Sequence, residues 1–341
     1  MIRVRGRMRF LGLPTVWGAA AVTYKLACPL AQQDDLPARI LTSAVFFVVG
    51  TGLILHARRS LTRELRQLRR VAGAAQNALL RPPPSHVDGL DVAAAQVSAE
   101  RGAAIGGDLY EVVATEYGVR AVMGDVRGHG IGALGTVAAV LGCFREAVHD
   151  EKDLGGVLRR LERALDRHLR QEHPTGDLEE FVTLLLVEIR PDGEILALNC
   201  GHPWPYRLSG TEVEQLAAAD PYPPLGMFPL PETDLPTVGL GCLRPGDGLF
   251  LHTDGAQDAR DGRGRFFPLP AVLESAVRDG PSSSRTVLGR VSTALRHHTR
   301  GAPQDDMALL VLTNGRRAIL KGAGSRAAGH EGPAPGSAPG R

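Results

Sequence analysis

The chain predicts an α+β domain built in layers, with apolar helices at its N-terminus, and three observations carry that prediction. From about residue 86 to 314, short β-like runs alternate with helical stretches. Pro191-Asp192-Gly193 separates two β-rich runs, and such a tripeptide suits a tight hairpin turn. Helices are interposed between groups of strands rather than following every strand, which favours α+β layers over a doubly wound sheet. The 341 residues, 43% apolar and 22% charged, suffice for one large domain with attachments.

Two apolar stretches open the sequence, about residues 10–30 and 40–56. A helical span needs about 17–25 residues, so the second is at the short limit. The first is longer but interrupted by Pro14, Lys25 and Pro29, and Lys25 can snorkel if it lies near a helix end. A signal peptide is the competing reading, and no small-x-small cleavage site supports it. Arg3, Arg5, Arg7 and Arg9 precede the first stretch, while Arg58, Arg59, Arg63, Arg66, Arg69 and Arg70 follow the second. Positive flanks stay in the cytoplasm. The expectation is therefore a two-helix hairpin in the cell membrane over residues 1–57, with both ends and the domain that follows inside.

Residues 58–85 are expected to be a helical linker. Leu61, Leu65, Leu68, Ala72, Ala75 and Leu79 form a heptad stripe over 58–80. Pairing into a homodimer through this helix and packing against its own domain both stay open, since the stripe is barely three heptads long. Arg81-Pro-Pro-Pro-Ser85 ends the helix. Within 86–314 the expected strands are Leu90–Val97, Gly118–Met123, Phe181–Ile189, Glu194–Asn199, Gly248–Thr253 and Met307–Leu312. The expected helices are Gly132–Asp150, Asp153–Gln171, Leu269–Arg278 and Ser284–Thr299. Residues 315–341, rich in Gly, Ala, Pro and Arg, read as a disordered tail.

Composition narrows the function classes. A net charge of +2 gives no indication of nucleic acid as a partner. Cys28, Cys143, Cys200 and Cys242 have no paired spacing, which argues against zinc and redox sites. The concentrated chemistry lies in four aspartate-bearing turns: Gly106-Gly107-Asp108, Gly124-Asp125-Val126-Arg127-Gly128-His129-Gly130, His252-Thr253-Asp254-Gly255 and Asp305-Asp306-Met307. Singly, each is ordinary turn chemistry. Together, on strand ends that converge, they would gather like charges that stay ionised only beside a cation. Oxygen-only donors select Mg²⁺, Mn²⁺ or Ca²⁺. A pair of such ions roughly 3.5–4 Å apart can activate water against a phosphoryl group.

The ordered segments GGDLY, GDVRGHG, FVTLLLVEI, LNCGHPWPY, PPLGM, LHTDG and DDMALLVL also carry a resemblance. Over about residues 70 to 314 the chain is similar to the PPM (protein phosphatase 2C-like) family. Within it, the chain looks like the bacterial branch of the stage II sporulation phosphatase and the sigma-factor-regulating phosphatases. The resemblance implies a β-sandwich of two antiparallel sheets flanked by helices over 86–314, two Mn²⁺ or Mg²⁺ ions, and hydrolysis of phosphoserine or phosphothreonine in proteins. By position, Asp125 would bridge the metals with help from the Val126 carbonyl, and Asp108, Asp254 and Asp305 would complete the carboxylates. Asp306 would support the site. The nucleophile would be metal-bound water, with no protein nucleophile. Glycines 106, 107, 128, 130 and 255 would let the backbone turn tightly around the metals. Arg127, Asp258 and Leu109 depart from the branch's usual residues without removing an expected ligand.

His129 is a candidate acid for the leaving oxygen, with His202 a second candidate; a structural hydrogen-bonding role is the alternative for both. Arg145 and the basic helix Arg159–Arg170 read as a solvated face. The expected function is a metal-dependent protein serine/threonine phosphatase in bacterial signalling. Its partner would be a phosphorylated protein, for which the resemblance suggests an anti-sigma factor antagonist. A non-catalytic phosphoprotein-binding scaffold and a hydrolase of small phosphoesters are the rival readings, and the intact carboxylate set favours the protein phosphatase.

Overall fold

A computed structural model describes Thr23 and residues 36–97, 106–128, 131–172, 180–217, 219–280, 283–301 and 305–316. It opens on α1, one unbroken helix over Leu36–Leu79 (44 residues). The expected boundary between membrane hairpin and linker at residue 57 is therefore not a structural break. One segment of α1, Ala44–Glu64, is long and apolar enough to cross a membrane. Its apolar side chains are uncovered, with Phe47 75% and Val48 68% exposed, so in water they would lack any partner. Except for Thr23, the first apolar stretch lies outside the described residues, and so do the side chains of Leu65, Leu68, Ala72 and Ala75 in the heptad stripe.

The strands are β1 (His86–Val87), β2 (Leu90–Val97), β3 (Asp108–Thr115), β4 (Gly118–Val126), β5 (Val182–Ile189), β6 (Glu194–Cys200), β7 (Tyr206–Ser209), β8 (Glu212–Gln215), β9 (Val238–Cys242), β10 (Gly248–His252) and β11 (Met307–Asn314). They form two sheets, ordered β1-β2-β11-β10-β7-β8 and β3-β4-β5-β6-β9. Every pairing within them is antiparallel. Five helices follow α1: α2 (Ile131–Asp150), α3 (Leu154–Glu172), α4 (Asp254–Asp258), α5 (Leu269–Val277) and α6 (Ser284–His298).

Side-chain alternation explains the layering. On β11, Ala308, Leu310 and Leu312 enter an apolar layer shared with Met123, Leu185 and Val187 of the other sheet. Met307, Leu309 and Val311 point the opposite way, onto α5 and α6. The five-stranded sheet does the same with α2 and α3, where Leu184 and Leu186 meet Phe144, Leu158 and Leu161. A strand covered on both faces must be apolar throughout, and all eight residues of β11 are buried. α3 buries Leu154, Val157, Leu158, Leu161, Leu165 and Leu169, a helical stripe that leaves its arginines outward. The result is helices, sheet, sheet, helices.

A buried ion pair ties the α2–α3 connection to this frame. Arg120 on β4 is fully buried and meets Glu188 of β5 at 2.7 Å, the two being register partners. Its remaining hydrogens go to the carbonyls of Val148, Glu151 and Lys152 at the end of α2 and just beyond it. Arg145 is likewise no solvated residue: it pairs with Glu111 of β3 at 2.6 Å and donates to the Leu79 carbonyl that ends α1. Arg159 donates to the Pro231 carbonyl at 3.0 Å. Each guanidinium fastens a chain segment whose backbone carbonyls would otherwise lack partners.

Arg120→Met should lower the unfolding free energy by about 3–5 kcal/mol, because it strands the buried Glu188 carboxylate. Arg190 reaches the same carboxylate at 3.2 Å from a half-exposed position, so Arg190→Ala should cost less than about 1 kcal/mol. Urea midpoints of the two variants read the difference.

Candidate functional site

The sequence-predicted aspartates arrive from both sheets. Asp108 begins β3 and Asp125 is next to last in β4, and the two are register partners across that hairpin. Asp254 is the first residue of α4, one residue, Thr253, after the end of β10. Asp305 and Asp306 stand just before β11, which pairs with β10 through His252↔Leu309. Strand ends on one sheet thus face strand ends on the other.

A threonine that the sequence reading left without a role joins them. Thr253 is fully buried between β10 and α4. Its Oγ1 donates to Asp108 Oδ2 at 3.2 Å and accepts from the Ala308 backbone N–H at 2.9 Å. Its own N–H donates to the Ala308 carbonyl at 3.1 Å. Although Thr253 occupies the N-cap position of α4, its hydroxyl does not cap that helix; it is spent on orienting Asp108. Three of the aspartate-bearing segments are thereby fixed by one side chain.

A second polar strut lies behind Asp125. Asn199 and His202 exchange two hydrogen bonds at 2.8 Å. The His202 Nδ1 meets Thr183 Oγ1 at 3.0 Å, and Thr183 is the register partner of Asp125. His202 is buried, and burial pushes its imidazole down to about 3, with the neighbouring His252 adding to the shift. Burial likewise holds His252 down to about 4. Both rings are therefore neutral at physiological pH. The other sequence candidate, His129, lies outside the described residues, as does Gly130.

Glycines clear the space around the carboxylates. A Cβ on Gly107 would run into the Val126 carbonyl oxygen and come within 2.7 Å of Asp125 Oδ1. One on Gly106 would lie 2.5 Å from Asp306 Oδ2, and one on Gly255 would strike the Asp306 carbonyl. None of these three has a positive φ, whereas Gly128 does, at 114°. Close approach, not turn conformation, is what requires glycine at 106, 107 and 255.

Electrostatics show that the carboxylates are mutual neighbours. Burial raises the Asp108 carboxyl well above its ordinary range, and Asp125, Asp306 and Asp254 raise it further while the Thr253 hydrogen bond opposes them. Asp125 is pushed up to about 7, chiefly by burial and then by Asp254, Asp305 and Asp306. Asp254 is raised by burial and by Asp305. Clustered carboxylates with oxygen-only donors suit a hard divalent cation. Among the described residues no group of three or more His, Cys, Asp or Glu side chains forms a ready-made cage. Asp108, Asp125, Asp254, Asp305 and the Val126 carbonyl nonetheless offer only oxygen donors, the chemistry such a cation takes.

Residues 115–314 match the model of the stage II sporulation protein E (SpoIIE) family. Among solved structures, the RsbU and RsbW domains of a Mycobacterium tuberculosis protein align at 24% identity and a TM-score of 0.50, over 66% of this chain and 61% of that one. The PP2C phosphatase domain of the Bacillus subtilis cell-fate determinant SpoIIE, with a fragment of its regulatory domain, aligns at 17% identity and 0.51, over 66% and 62%. This chain thus spans about three fifths of both structures. The SiaA PP2C domain of Pseudomonas aeruginosa aligns at 18% identity and 0.54, over 75% of this chain and 98% of that one. The likeness is one of fold, two antiparallel sheets with flanking helices.

Thr253→Val removes the hydroxyl that orients Asp108 while keeping its volume. It should weaken Mn²⁺ binding by about 10–100-fold, the scale of losing a partner that orients a ligand, as read by titration calorimetry.

Proposed function

Because the chain belongs to the stage II sporulation protein E family, we propose that it is a metal-dependent phosphatase of phosphoserine and phosphothreonine proteins, acting in regulatory signalling. The observation that carries the reading is the set of mutually repelling carboxylates Asp108, Asp125 and Asp254, raised by burial and by one another and by Asp305 and Asp306. Two Mn²⁺ or Mg²⁺ ions, when bound, would activate water and offset the charge of the phosphoryl group. Asp108, Asp125, Asp254, Asp305 and the Val126 carbonyl would hold the ions, with Asp306 in support. Thr253 keeps Asp108 aimed inward, and Gly106, Gly107 and Gly255 keep the space open.

The proposed substrate is a phosphorylated regulatory protein, on the family resemblance an anti-sigma factor antagonist. The proposed organisation is a membrane hairpin over residues 1–57, a helical linker to 85, the catalytic domain over 86–314 on the cytoplasmic side, and a tail over 315–341. The arginines that flank the apolar stretches support that orientation. The exposed apolar segment Ala44–Glu64 supports one of its two spans.

Phosphate release from a phosphoserine peptide should require Mn²⁺ or Mg²⁺ and stop when a chelator is added. Asp125→Asn should lower the rate by about 10²–10³-fold or more, as losing a preorganised electrostatic group does, with the circular dichroism spectrum unchanged. Turnover that survives the chelator would refute the metal assignment. A folded chain with no turnover in any metal would favour the phosphoprotein-binding scaffold.

A further inference from the structure

On the outer face of the six-stranded sheet, α5 and α6 leave an open groove of about 870 Å³. Phe267, Val272 and Ala294 give it apolar walls. Gly289 lies mid-way along α6 with nothing within 4 Å of where its Cβ would be, although glycine is a poor helix former. The lining positions on α6, 285/286, 289/290, 293/294 and 297/298, recur every four residues. The groove therefore follows that helix for about 20 Å, at 1.5 Å rise per residue.

Its rim is basic. Four cationic or titratable basic side chains line it and no acidic one does; α6 as a whole, SRTVLGRVSTALRHH, contains no carboxylate. Arg290 and His298 are committed to shaping the walls, through the Ala276 carbonyl at 2.6 Å and the Arg265 carbonyl at 3.0 Å, and Arg290 also pairs with Asp279 at 3.4 Å. Arg285 and His297 stand exposed and make no ion pair among the described residues.

An apolar floor edged with positive charge selects its occupant. A nucleic acid favours a more polar surface than this one. Residues 317–341 of the chain itself have the wrong sign, with Arg317, Lys321, Arg326 and Arg341 against Glu331. A helix with an apolar stripe and acidic flanks matches both features of the groove. We propose that the α5–α6 groove docks an acidic amphipathic helix presented by a partner protein. The groove shares no lining residue with the carboxylate site, and the inference does not rest on the phosphatase reading.

The test is fluorescence anisotropy with the full chain in detergent. The probe is a labelled helical peptide of about 15 residues, enough to span the groove, with leucines along one face and glutamates elsewhere. Saturable binding is expected, weakened at least about tenfold by Gly289→Leu, which fills the floor, and by Arg285→Glu with His297→Glu, which reverses the rim. A scrambled peptide of the same composition should bind at least about tenfold more weakly. Circular dichroism checks that the variants fold. The proposal is overturned by absence of saturable binding, by binding indifferent to both sets of substitutions, or by equal binding of the scrambled peptide. Phosphatidylglycerol vesicles or an RNA oligomer that bind with the same dependence on Gly289 and Arg285 would overturn it in favour of a lipid or nucleic-acid surface.

Discussion

Five aspartates at one rim repel each other, and the fold has to hold them there. Two of them sit at the ends of β3 and β4, and three at the ends of β10 and β11. What presses these ends together is the dry layer between the sheets, where Met123, Leu185 and Val187 meet Ala308, Leu310 and Leu312. Burying each large apolar side chain contributes about 1.5–3 kcal/mol, and among the described residues eighteen larger than alanine are buried in this layer. The repulsion is thus opposed by a force with no directional link to it. A divalent cation bound at the rim, as proposed, would remove the conflict.

Polar contacts then set what packing cannot, the aim of each carboxylate. Thr253 and Thr183 reach the rim from opposite sheets, and each is backed by a fixed partner: the Ala308 N–H for the first, the Asn199–His202 clamp for the second. Hydrogen bonds made inside a low-dielectric interior are stronger and costlier to break than those in water. Asp108 and the strand that carries Asp125 are consequently held by a fixed polar frame.

The strands expected over Phe181–Ile189 and Met307–Leu312 were legible as β-like runs, and the structure has them at Val182–Ile189 and Met307–Asn314. So was the Pro191-Asp192-Gly193 hairpin. β3 escaped, because Gly106-Gly107-Asp108 read as a turn, while pairing with β4 makes Asp108–Thr115 extended. β7 and β8 have four residues each and α4 has five, too few for a period to show. The aspartates themselves were visible as carboxylates at strand ends. The role of Thr253 was not, since its bond to Asp108 spans 145 residues of sequence and depends on sheet stacking. Arg145 was misread as solvated for the same reason: Glu111 and the Leu79 carbonyl are neighbours only in space.

An unbroken helix is also a ruler. After Pro37, no proline interrupts α1 before its end at Leu79. If the bilayer is left near His56, the remaining turns rise about 35 Å at 1.5 Å per residue. That exceeds the width of a small domain, about 30 Å. On the proposed organisation, that clearance would let a freely diffusing protein pass between the lipid surface and the folded domain. A phosphorylated residue held flat against the bilayer would be out of reach, so the length of one helix would sort substrates by height.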